Sequence, residues 1–285
     1  MKRLFPILML SLLALTACRE KPTPEPTFSI CGKVDQWPAM AAAGYDYLEP
    51  RVGDVLVPGE SDSVFLARQA GIKAVGAKLI SCTIFLPGQF RVVGDDTNHD
   101  DILVWAETAF RRAQQLGIPY IVFGSGRTRN VADGFSRDEA KRQFVDLCKR
   151  MAPIAQQYDV TVVIEPLNTA ETNFINSLAD GAEMVVAVDH PNVRLLADIY
   201  HMLRENEPAS EIDQYGHLIK HVHIAEKEGR TAPGTVGEDF TPYFAALKEA
   251  NYAGCISIEG SFDDFGTRIV TALQTMKEQY AAAGK

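Results

Sequence analysis

The sequence has no run of basic residues and is acidic overall. Its 285 residues include 28 Lys and Arg against 37 Asp and Glu, which gives a formal net charge of −9. A protein that binds nucleic acid needs a basic surface to neutralise phosphates, so this composition excludes nucleic acid as a partner. Metal cations and uncharged sugars fit it better.

The chain begins with an apolar stretch that is too short to cross a membrane. Leu4–Ala14 follows two basic residues and falls well below the roughly 20 residues that a membrane-spanning helix needs. It ends in Leu15-Thr16-Ala17-Cys18, which resembles the lipobox of bacterial lipoproteins. The resemblance implies a signal peptide at residues 1–17 and a lipid anchor on Cys18, so a membrane becomes a partner. The expected location is the bacterial cell envelope, on its periplasmic or outer-membrane face. An ordinary secretory signal with a coincidental cysteine is the alternative.

The next segment lacks a core of its own. Residues 18–27 are polar and rich in proline, which predicts an extended tether. Residues 28–285 have ordinary globular composition, and an α/β barrel occupies about 250 residues as a single domain. We therefore predict one domain after the tether.

Strands and helices alternate along this domain. The predicted strands are Phe28–Val34, Tyr45–Pro50, Lys73–Ile80, Tyr120–Gly124, Val160–Ile164, Val193–Ile199, His221–Ala225 and Cys255–Glu259. The predicted helices are Trp37–Gly44, Ser61–Gly71, Asp100–Gly117, Arg137–Tyr158, Ser177–Val188 and Thr267–Ala282. This order predicts an α/β fold, a single (β/α)8 TIM barrel. A doubly wound open sheet is the alternative, but no Gly-x-Gly-x-x-Gly follows the first strand.

Cysteines are few, and none has the spacing of a zinc knuckle or a redox pair. Besides Cys18 the chain contains Cys31, Cys82, Cys148 and Cys255. Cys31 and Cys255 lie on the first and last predicted strands, which are neighbours in a closed barrel, and the cell envelope permits disulfides. We interpret all four as buried free thiols.

Four predicted strands end in residues that can bind a metal. Glu165, Asp198, His223 and Glu259 end the fifth to eighth strands. The carboxyl ends of the strands converge in a TIM barrel, so these side chains are predicted to meet. A carboxylate buried at a strand end needs a partner or a metal. This oxygen-rich set suits Mn²⁺, Mg²⁺ or Co²⁺. Glu49 ends the second strand and is predicted to line the same pocket and bind substrate.

Several motifs together resemble the xylose isomerase-like barrel superfamily, in its branch of sugar phosphate isomerases/epimerases and ketose 3-epimerases. These motifs are Ile164-Glu165-Pro166-Leu167-Asn168 with Glu171, Asn176-Ser177-Leu178-Ala179-Asp180-Gly181, Asp198-x-x-His201-Met202, His221-Val222-His223-Ile224-Ala225-Glu226, Arg230-Thr231-Ala232-Pro233-Gly234 and Ile258-Glu259. The resemblance spans essentially the whole mature chain, and its motifs are specific in combination.

The resemblance implies roles for individual residues. The implied ligands of a divalent metal, Mn²⁺ first, are Glu165, Asp198, His223 and Glu259. Glu165 and Glu259 are also the implied catalytic pair that transfers protons. The implied substrate-binding residues are Glu171, His201 and Arg230. The segment between His223 and Arg230 is one residue longer than in ketose epimerases, which leaves the position of Arg230 open.

The expected reaction begins with removal of a proton next to a carbonyl group. A divalent cation that bridges the carbonyl and hydroxyl oxygens stabilises the resulting enediolate. Glu165 and Glu259 act as base and acid, and His201 steadies the developing charge. We predict a metal-dependent isomerase or epimerase of an unphosphorylated sugar or glycoside. Phosphate is not expected, because the loop after the last strand carries Asp263 and Asp264.

Other functions remain open at this stage. A lyase that cleaves a 3-keto-glycoside by β-elimination would use the same metal site and the same first step. A non-catalytic sugar-binding lipoprotein is a second alternative. A metal-dependent phosphodiesterase is disfavoured, because such sites need further histidine ligands and a basic face. The oligomeric state is open, with a homo-oligomer among the options.

Overall fold

The computed structural model describes residues 25–284, which form a parallel barrel surrounded by helices. The strands, β1 to β8 in chain order, are Thr27–Cys31, Tyr47–Glu49, Ser81–Cys82, Tyr120–Phe123, Thr161–Ile164, Val193–Asp198, Ile219–Ile224 and Cys255–Ile258. The helices, α1 to α10, are Trp37–Ala43, Val52–Val55, Asp62–Val75, His99–Leu116, Arg137–Gln157, Leu178–Val188, Ile199–Glu205, Ser210–Tyr215, Thr241–Glu249 and Phe265–Ala282. The signal peptide, Cys18 and the tether as far as residue 24 lie outside the described residues.

The strands form one parallel sheet that nearly closes on itself. Their order is β2-β1-β8-β7-β6-β5-β4-β3. The two ends of this series approach each other through Leu48, whose amide donates to the carbonyl of Lys78 at 2.8 Å and whose carbonyl accepts from Ile80 at 3.3 Å. The prediction of a single (β/α)8 barrel is therefore confirmed.

The third strand was predicted too early and too long. Helix α3 continues to Val75, four residues beyond its predicted end, and stops at Gly76 in the left-handed conformation with φ of 64°. Gly71 continues the helix at an exposed position, where an added Cβ atom would meet nothing within 4 Å. Strand β3 is reduced to Ser81–Cys82. Four short helices, α2, α7, α8 and α9, were not predicted.

The alternation of side chains along the strands separates two layers of the molecule. On β7, Val222 and Ile224 pack in the apolar layer between barrel and helices, whereas His221 and His223 lie in the barrel interior. The same alternation directs Ser257 of β8 inward, where it is fully buried. The interior of the barrel is thus partly polar. Its polar side chains extend to the carboxyl ends of the strands.

The cysteines follow the prediction for the most part. All four described cysteines are free, and Cys82, Cys148 and Cys255 are buried while Cys31 is partly exposed. Strand β1 begins at Thr27, which pairs with Cys255 although it was predicted to belong to the tether. Among residues 25–284, no helix combines the length and the apolar character needed to cross a bilayer.

Candidate active site and metal centre

The ends of four adjacent strands bring three carboxylates and one imidazole together. Glu165, Asp198, His223 and Glu259 follow or end β5, β6, β7 and β8, and each offers one ligand atom within 4.8 Å of those of the others. In the barrel register Asp198 pairs with His223, and His223 pairs with Ser257 two residues before Glu259. Three carboxylates gathered this closely suit a hard divalent cation, because oxygen donors with one imidazole are a common set for Mn²⁺ or Mg²⁺. The residues present therefore fit the predicted metal.

Asp198 is held by the helix that it begins. Its Oδ1 accepts hydrogen bonds from the backbone amides of Tyr200 at 2.8 Å and His201 at 3.3 Å, so it is the N-cap of α7. This leaves Oδ2 to face the site. The spacing Asp198-x-x-His201 thus follows from helix geometry, because residues three apart lie on one face of the first turn.

A buried carboxylate beneath the site fixes the orientation of His223. Glu49 is fully buried, and its Oε1 lies 3.0 Å from Nε2 of His223 while its Oε2 lies 2.8 Å from Nε2 of His221. With Nε2 bound in this way, Nδ1 of His223 faces Glu165 at 3.1 Å and Glu259 at 3.4 Å. As predicted, Glu49 lines the cavity at the ends of β1 and β2, but imidazoles contact both of its oxygens, and its binding of substrate stays a prediction. Glu49 is a positioning residue for His223.

Burial and neighbouring charges act differently on the two glutamates of the pair. Burial is the largest influence on Glu165 and raises the pKa of its carboxyl above the ordinary value. Burial acts in the same direction on Glu259, but His223 and Arg230 outweigh it, so the pKa of Glu259 lies below its usual range. Burial also disfavours protonation of His223, and the adjacent Glu49 outweighs that effect and raises the pKa of His223. The two glutamates thus lie in different electrostatic surroundings although both belong to the same cluster.

His201 presents a hydrogen-bond donor to the cavity. Its Nδ1 accepts from the backbone amide of Asn168 at 3.1 Å, which assigns the proton to Nε2. Nε2 is buried and makes no hydrogen bond in the part of the chain that the structure describes, although it lies 3.4 Å from Oδ2 of Asp198. The side-chain amide of Asn168 donates to the carboxylate of Glu171 at 3.1 Å. Asn168 therefore orients two predicted substrate-binding residues, a role that the sequence motif did not reveal.

Arg230 reaches the site despite the longer segment before it. Its guanidinium forms ion pairs with Glu259, with Asp198 at 3.4 Å and with Glu171 at 3.4 Å. It also lies 4.5 Å above the ring of Tyr200. The backbone of Arg230 is left-handed, with φ of 51°. A non-glycine residue in this region is strained and persists only where its surroundings hold it.

The loop that carries Arg230 is closed by a carboxylate that the sequence analysis did not assign. Glu226 is fully buried, and it accepts a hydrogen bond from the Thr231 hydroxyl at 2.7 Å. It also accepts from a series of backbone amides: those of Gly234, Thr235, Val236, Gly237 and Glu238. We call residues 226–238 the Glu226 loop. Its shape depends on contacts between one side chain and its own backbone.

The carboxylate of Glu165 depends on a glycine on the neighbouring strand. A Cβ atom at Gly124 would lie 2.0 Å from Oε2 of Glu165. The side chain of Arg129 is fully buried, and its guanidinium donates to the backbone carbonyl of Glu165 at 2.6 Å. Backbone and side chain of Glu165 are therefore fixed from two sides.

The site opens into a cavity with two lobes. The reaction lobe, of about 490 Å³, is lined by Glu165, Glu171, His201 and Arg230 among others. The outer lobe, of about 460 Å³, lies against the ends of β1 and β2 and is lined by Cys31, Lys33, Gln36 and Asp54 among others. The residues that line both lobes are Arg51, Thr83, Ile84, Arg230 and Glu259. The cavity thus extends beyond the cluster of metal-binding side chains.

Comparison with known proteins matches the chain to one family of barrels and to several sugar epimerases. A family model described as "Xylose isomerase-like TIM barrel" matches residues 37–279. The chain is 32% identical to 3-dehydro-D-guloside 4-epimerase from Escherichia coli over 126 residues, 44% of this chain and 48% of that one. It is 28% identical to L-ribulose 3-epimerase from Methylomonas over 239 residues, 81% of this chain and 77% of that one. The matches to the first curated relatives span only about half of their length, between 48% and 57%.

Solved structures show the same fold. The crystal structure of 3-keto-D-glucoside 4-epimerase from E. coli superposes with a TM-score of 0.75 at 21% identity, and the match covers 89% of this chain and all of that one. At this identity the likeness concerns the architecture of the barrel.

Proposed function

The chain belongs to the xylose isomerase-like TIM barrel family, and on that premise we propose that it is a metal-dependent isomerase or epimerase of an unphosphorylated sugar. The observation that carries the proposal is the convergence of Glu165 and Glu259 with Asp198 and His223, whose ligand atoms lie within 4.8 Å of one another. A structural role alone does not require three carboxylates around one imidazole, since their repulsion is unfavourable in a buried site. The named relatives act on sugars by epimerisation, which supports the same class of chemistry here.

The proposed metal ligands are Glu165, Asp198, His223 through Nδ1, and Glu259. We propose Mn²⁺ first, with Mg²⁺ and Co²⁺ as alternatives. When bound, the metal would polarise the substrate carbonyl and supply positive charge where negative charge develops. The protein's own contribution is to orient the donors, with the α7 amides on Asp198 and Glu49 on His223.

Proton transfer falls to the two glutamates at the edges of this cluster. Glu165 and Glu259 both line the reaction lobe, so a sugar carbon placed between them meets a carboxyl on either side. One carboxylate removes the proton next to the carbonyl, and the other carboxyl returns a proton to the opposite face. The Nε2–H of His201 donates to the oxygen on which negative charge develops. Arg230 and Glu171 are placed to bind hydroxyl groups.

A 3-keto-glycoside lyase uses the same first step and remains a second candidate. The two-lobed cavity favours a substrate larger than a monosaccharide, because the outer lobe leaves room for a second group beyond the reacting sugar. A lyase releases this group and forms an enone that absorbs ultraviolet light, whereas an epimerase does neither.

The loops do not support a phosphate site. Barrel phosphate sites commonly use the loops after strands seven and eight. Here the loop after β7 is closed around the Glu226 carboxylate, and the loop after β8 carries Asp263, which pairs with Arg268 at 2.8 Å.

Solvent hydrogen exchange tests the proposed function. The full chain, loaded with Mn²⁺ in D₂O, is incubated with ketoses, aldoses and 3-keto-glycosides, and products are followed by NMR. We expect deuterium at the carbon next to the carbonyl, and we expect Glu165→Gln and Glu259→Gln to remove this exchange while the exposed Glu183→Gln leaves it unchanged. Exchange that survives in both variants would contradict the proposed base and acid. Tight metal and sugar binding without any exchange would favour a sugar-binding protein.

We further propose that Cys18 carries a lipid anchor in the cell envelope, on the strength of its lipobox-like sequence. Growth with labelled palmitate tests this directly. We expect label on the wild-type chain and none on Cys18→Ser. Equal labelling of both chains would refute the proposal.

A further inference from the structure

We propose that the sugar bound in this cavity carries a carboxylate, and that Arg51 and Arg127 bind it. The inference rests on the proposed function and narrows its substrate to a sugar acid. It also replaces the expectation of an uncharged sugar that the acidic composition suggested, because the local charge of the cavity differs from the net charge of the chain.

Arg51 and Arg127 are two of the three arginines in residues 25–284 whose side chains have no polar or ring partner. Nearly every arginine in residues 25–284 forms side-chain hydrogen bonds, as Arg129 does with the backbone carbonyls of Phe123 and Glu165. Within this part of the chain the exceptions are Arg51, Arg68 and Arg127, since none of the hydrogen bonds, ion pairs or ring contacts involves their side chains. In a chain with a net charge of −9 acidic partners are plentiful. Two of the three line the candidate active-site cavity.

Arg51 and Arg127 are presented by fixed backbone on either side of the third strand. Arg51 follows β2, and its neighbours Pro50 and Val52 exchange backbone hydrogen bonds with Thr83 at 3.0 and 2.9 Å. Arg127 lies in the turn after β4, where a Cβ at Gly126 would meet Leu167 at 2.9 Å. The backbone that carries each guanidinium is thus held firmly while the side chain remains exposed.

The reaction lobe contains two basic side chains, Arg51 and Arg127, which pair with no acidic residue among the described residues. The three carboxylates of the proposed ligand set would share a divalent cation, and two of them, Asp198 and Glu259, already pair with Arg230. Of the other charged residues that line this lobe, Glu171 is acidic, while Arg51 and Arg127 are basic. In the outer lobe Lys33 offsets Asp54, and the Glu49 carboxylate lies against the imidazoles of His221 and His223. A carboxylate on the substrate would find its partners in Arg51 and Arg127.

A carboxylate suits this pair better than a phosphate. The planar guanidinium matches the two oxygens of a carboxylate, and arginine is the side chain of choice for such contacts. The arginines follow strands two and four, whereas barrel phosphate sites commonly use loops seven and eight. The substrate class is therefore a sugar acid, such as a uronate or a ketohexuronate.

Binding measurements separate this inference from the proposed function, because they do not require turnover. Titration calorimetry of the Mn²⁺-loaded full chain compares D-glucuronate with D-glucose, and D-fructuronate with D-fructose. We expect each acid to bind at least about 10-fold more tightly, since a hydrogen bond to a charged group contributes about 1.5–3 kcal/mol. Arg51→Gln and Arg127→Gln should each weaken binding of the acid about 10- to 100-fold and leave that of the neutral sugar unchanged. Arg68→Gln, an equally unpaired arginine that does not line the cavity, is the matched control.

The outcomes distinguish the two proposals. Equal binding of acid and neutral sugar, or loss of binding in Arg68→Gln to the same extent, would overturn the carboxylate site. Tighter binding of D-glucose 6-phosphate than of D-glucuronate through the same arginines would assign the pair to phosphate instead. If the acid binds through Arg51 and Arg127 but no deuterium exchange occurs with any sugar acid, the carboxylate site stands and the proposed isomerase function falls.

Discussion

Replacement of Glu49 by glutamine should weaken metal binding while the fold remains intact. In the wild-type protein the carboxylate accepts from His223 at 3.0 Å and contacts His221 at 2.8 Å. A glutamine of the same shape keeps one acceptor oxygen but replaces the other by an NH₂ group. The negative charge that supports the His223 imidazole is lost, and one of the two imidazoles must change its tautomer to accept from the amide.

The size of the effect follows from the position of this contact. Outer partners of metal-binding histidines contribute about 10- to 100-fold in metal affinity, which corresponds to about 1.4–2.7 kcal/mol. Glu49→Ala should behave differently, because it leaves a void and two buried imidazoles without an acceptor. Each unsatisfied group destabilises the fold by about 1–3 kcal/mol. Glutamine therefore isolates the effect on the metal, and alanine reports the structural contribution.

Titration calorimetry with Mn²⁺ and thermal unfolding in EDTA measure the two effects separately. Glu183→Gln removes a carboxylate from an exposed ion pair with Lys141 and is the control. An Mn²⁺ affinity within 3-fold of wild type in Glu49→Gln would refute the argument. If sugar affinity falls instead, Glu49 binds substrate as its position at a strand end first suggested.

Three further results are expected. Gly124→Ala should displace the Glu165 carboxylate, because the new methyl group would lie 2.0 Å from its Oε2. Both the Mn²⁺ affinity and the rate of deuterium exchange should then fall by at least about 10-fold. Gly71→Ala, at an open helical position, is the control and should change neither. Mn²⁺ at 100 times its dissociation constant should raise the midpoint of thermal unfolding by roughly 5–10 °C relative to EDTA, and an unchanged midpoint would argue against the site. Burial raises the pKa of Glu207 to about 7, so the folded protein binds this proton more tightly than the unfolded chain does. The free energy of unfolding then falls as pH rises from about 4.3 to 7, by at most about 1.4 kcal/mol per unit. Glu207→Gln keeps an acceptor for the Leu178 amide and should be more stable than wild type at pH 8 but not at pH 4.5, as urea unfolding at the two values would show.

The sequence predicted those site residues that lie at the carboxyl ends of the strands. A buried strand that ends in a carboxylate can be recognised locally, and the barrel then places Glu165, Asp198, His223 and Glu259 together. The role of Glu49 could not be recognised in this way, because it depends on an imidazole 174 residues away on β7. The predicted bounds of β3 were wrong for a different reason. Only two residues of this strand are hydrogen-bonded in the sheet. The exposed Gly71 within α3 also gave the pattern of a helix that ends at this glycine.

Glu226 and Asn168 show a second limit of sequence patterns. Both make contacts with backbone groups: Glu226 accepts from amides of its own loop, and the backbone amide of Asn168 donates to His201. Backbone groups carry no sequence signature, so a carboxylate that closes a loop looks the same as one in solvent. Only the three-dimensional path of the chain distinguishes them.

The Glu226 loop makes one part of this protein tolerant of substitution. Because main-chain amides bind the carboxylate, most side chains of the loop are not needed to keep its shape. Arg230 keeps its place opposite Glu259 as long as Glu226 and the turn glycines Gly229, Gly234 and Gly237 remain. The exposed positions Lys227, Glu228 and Val236 form a set that can be randomised in a library, whereas Arg230, Thr231 and the buried Ala232 are kept. Directed evolution of substrate preference would best begin there.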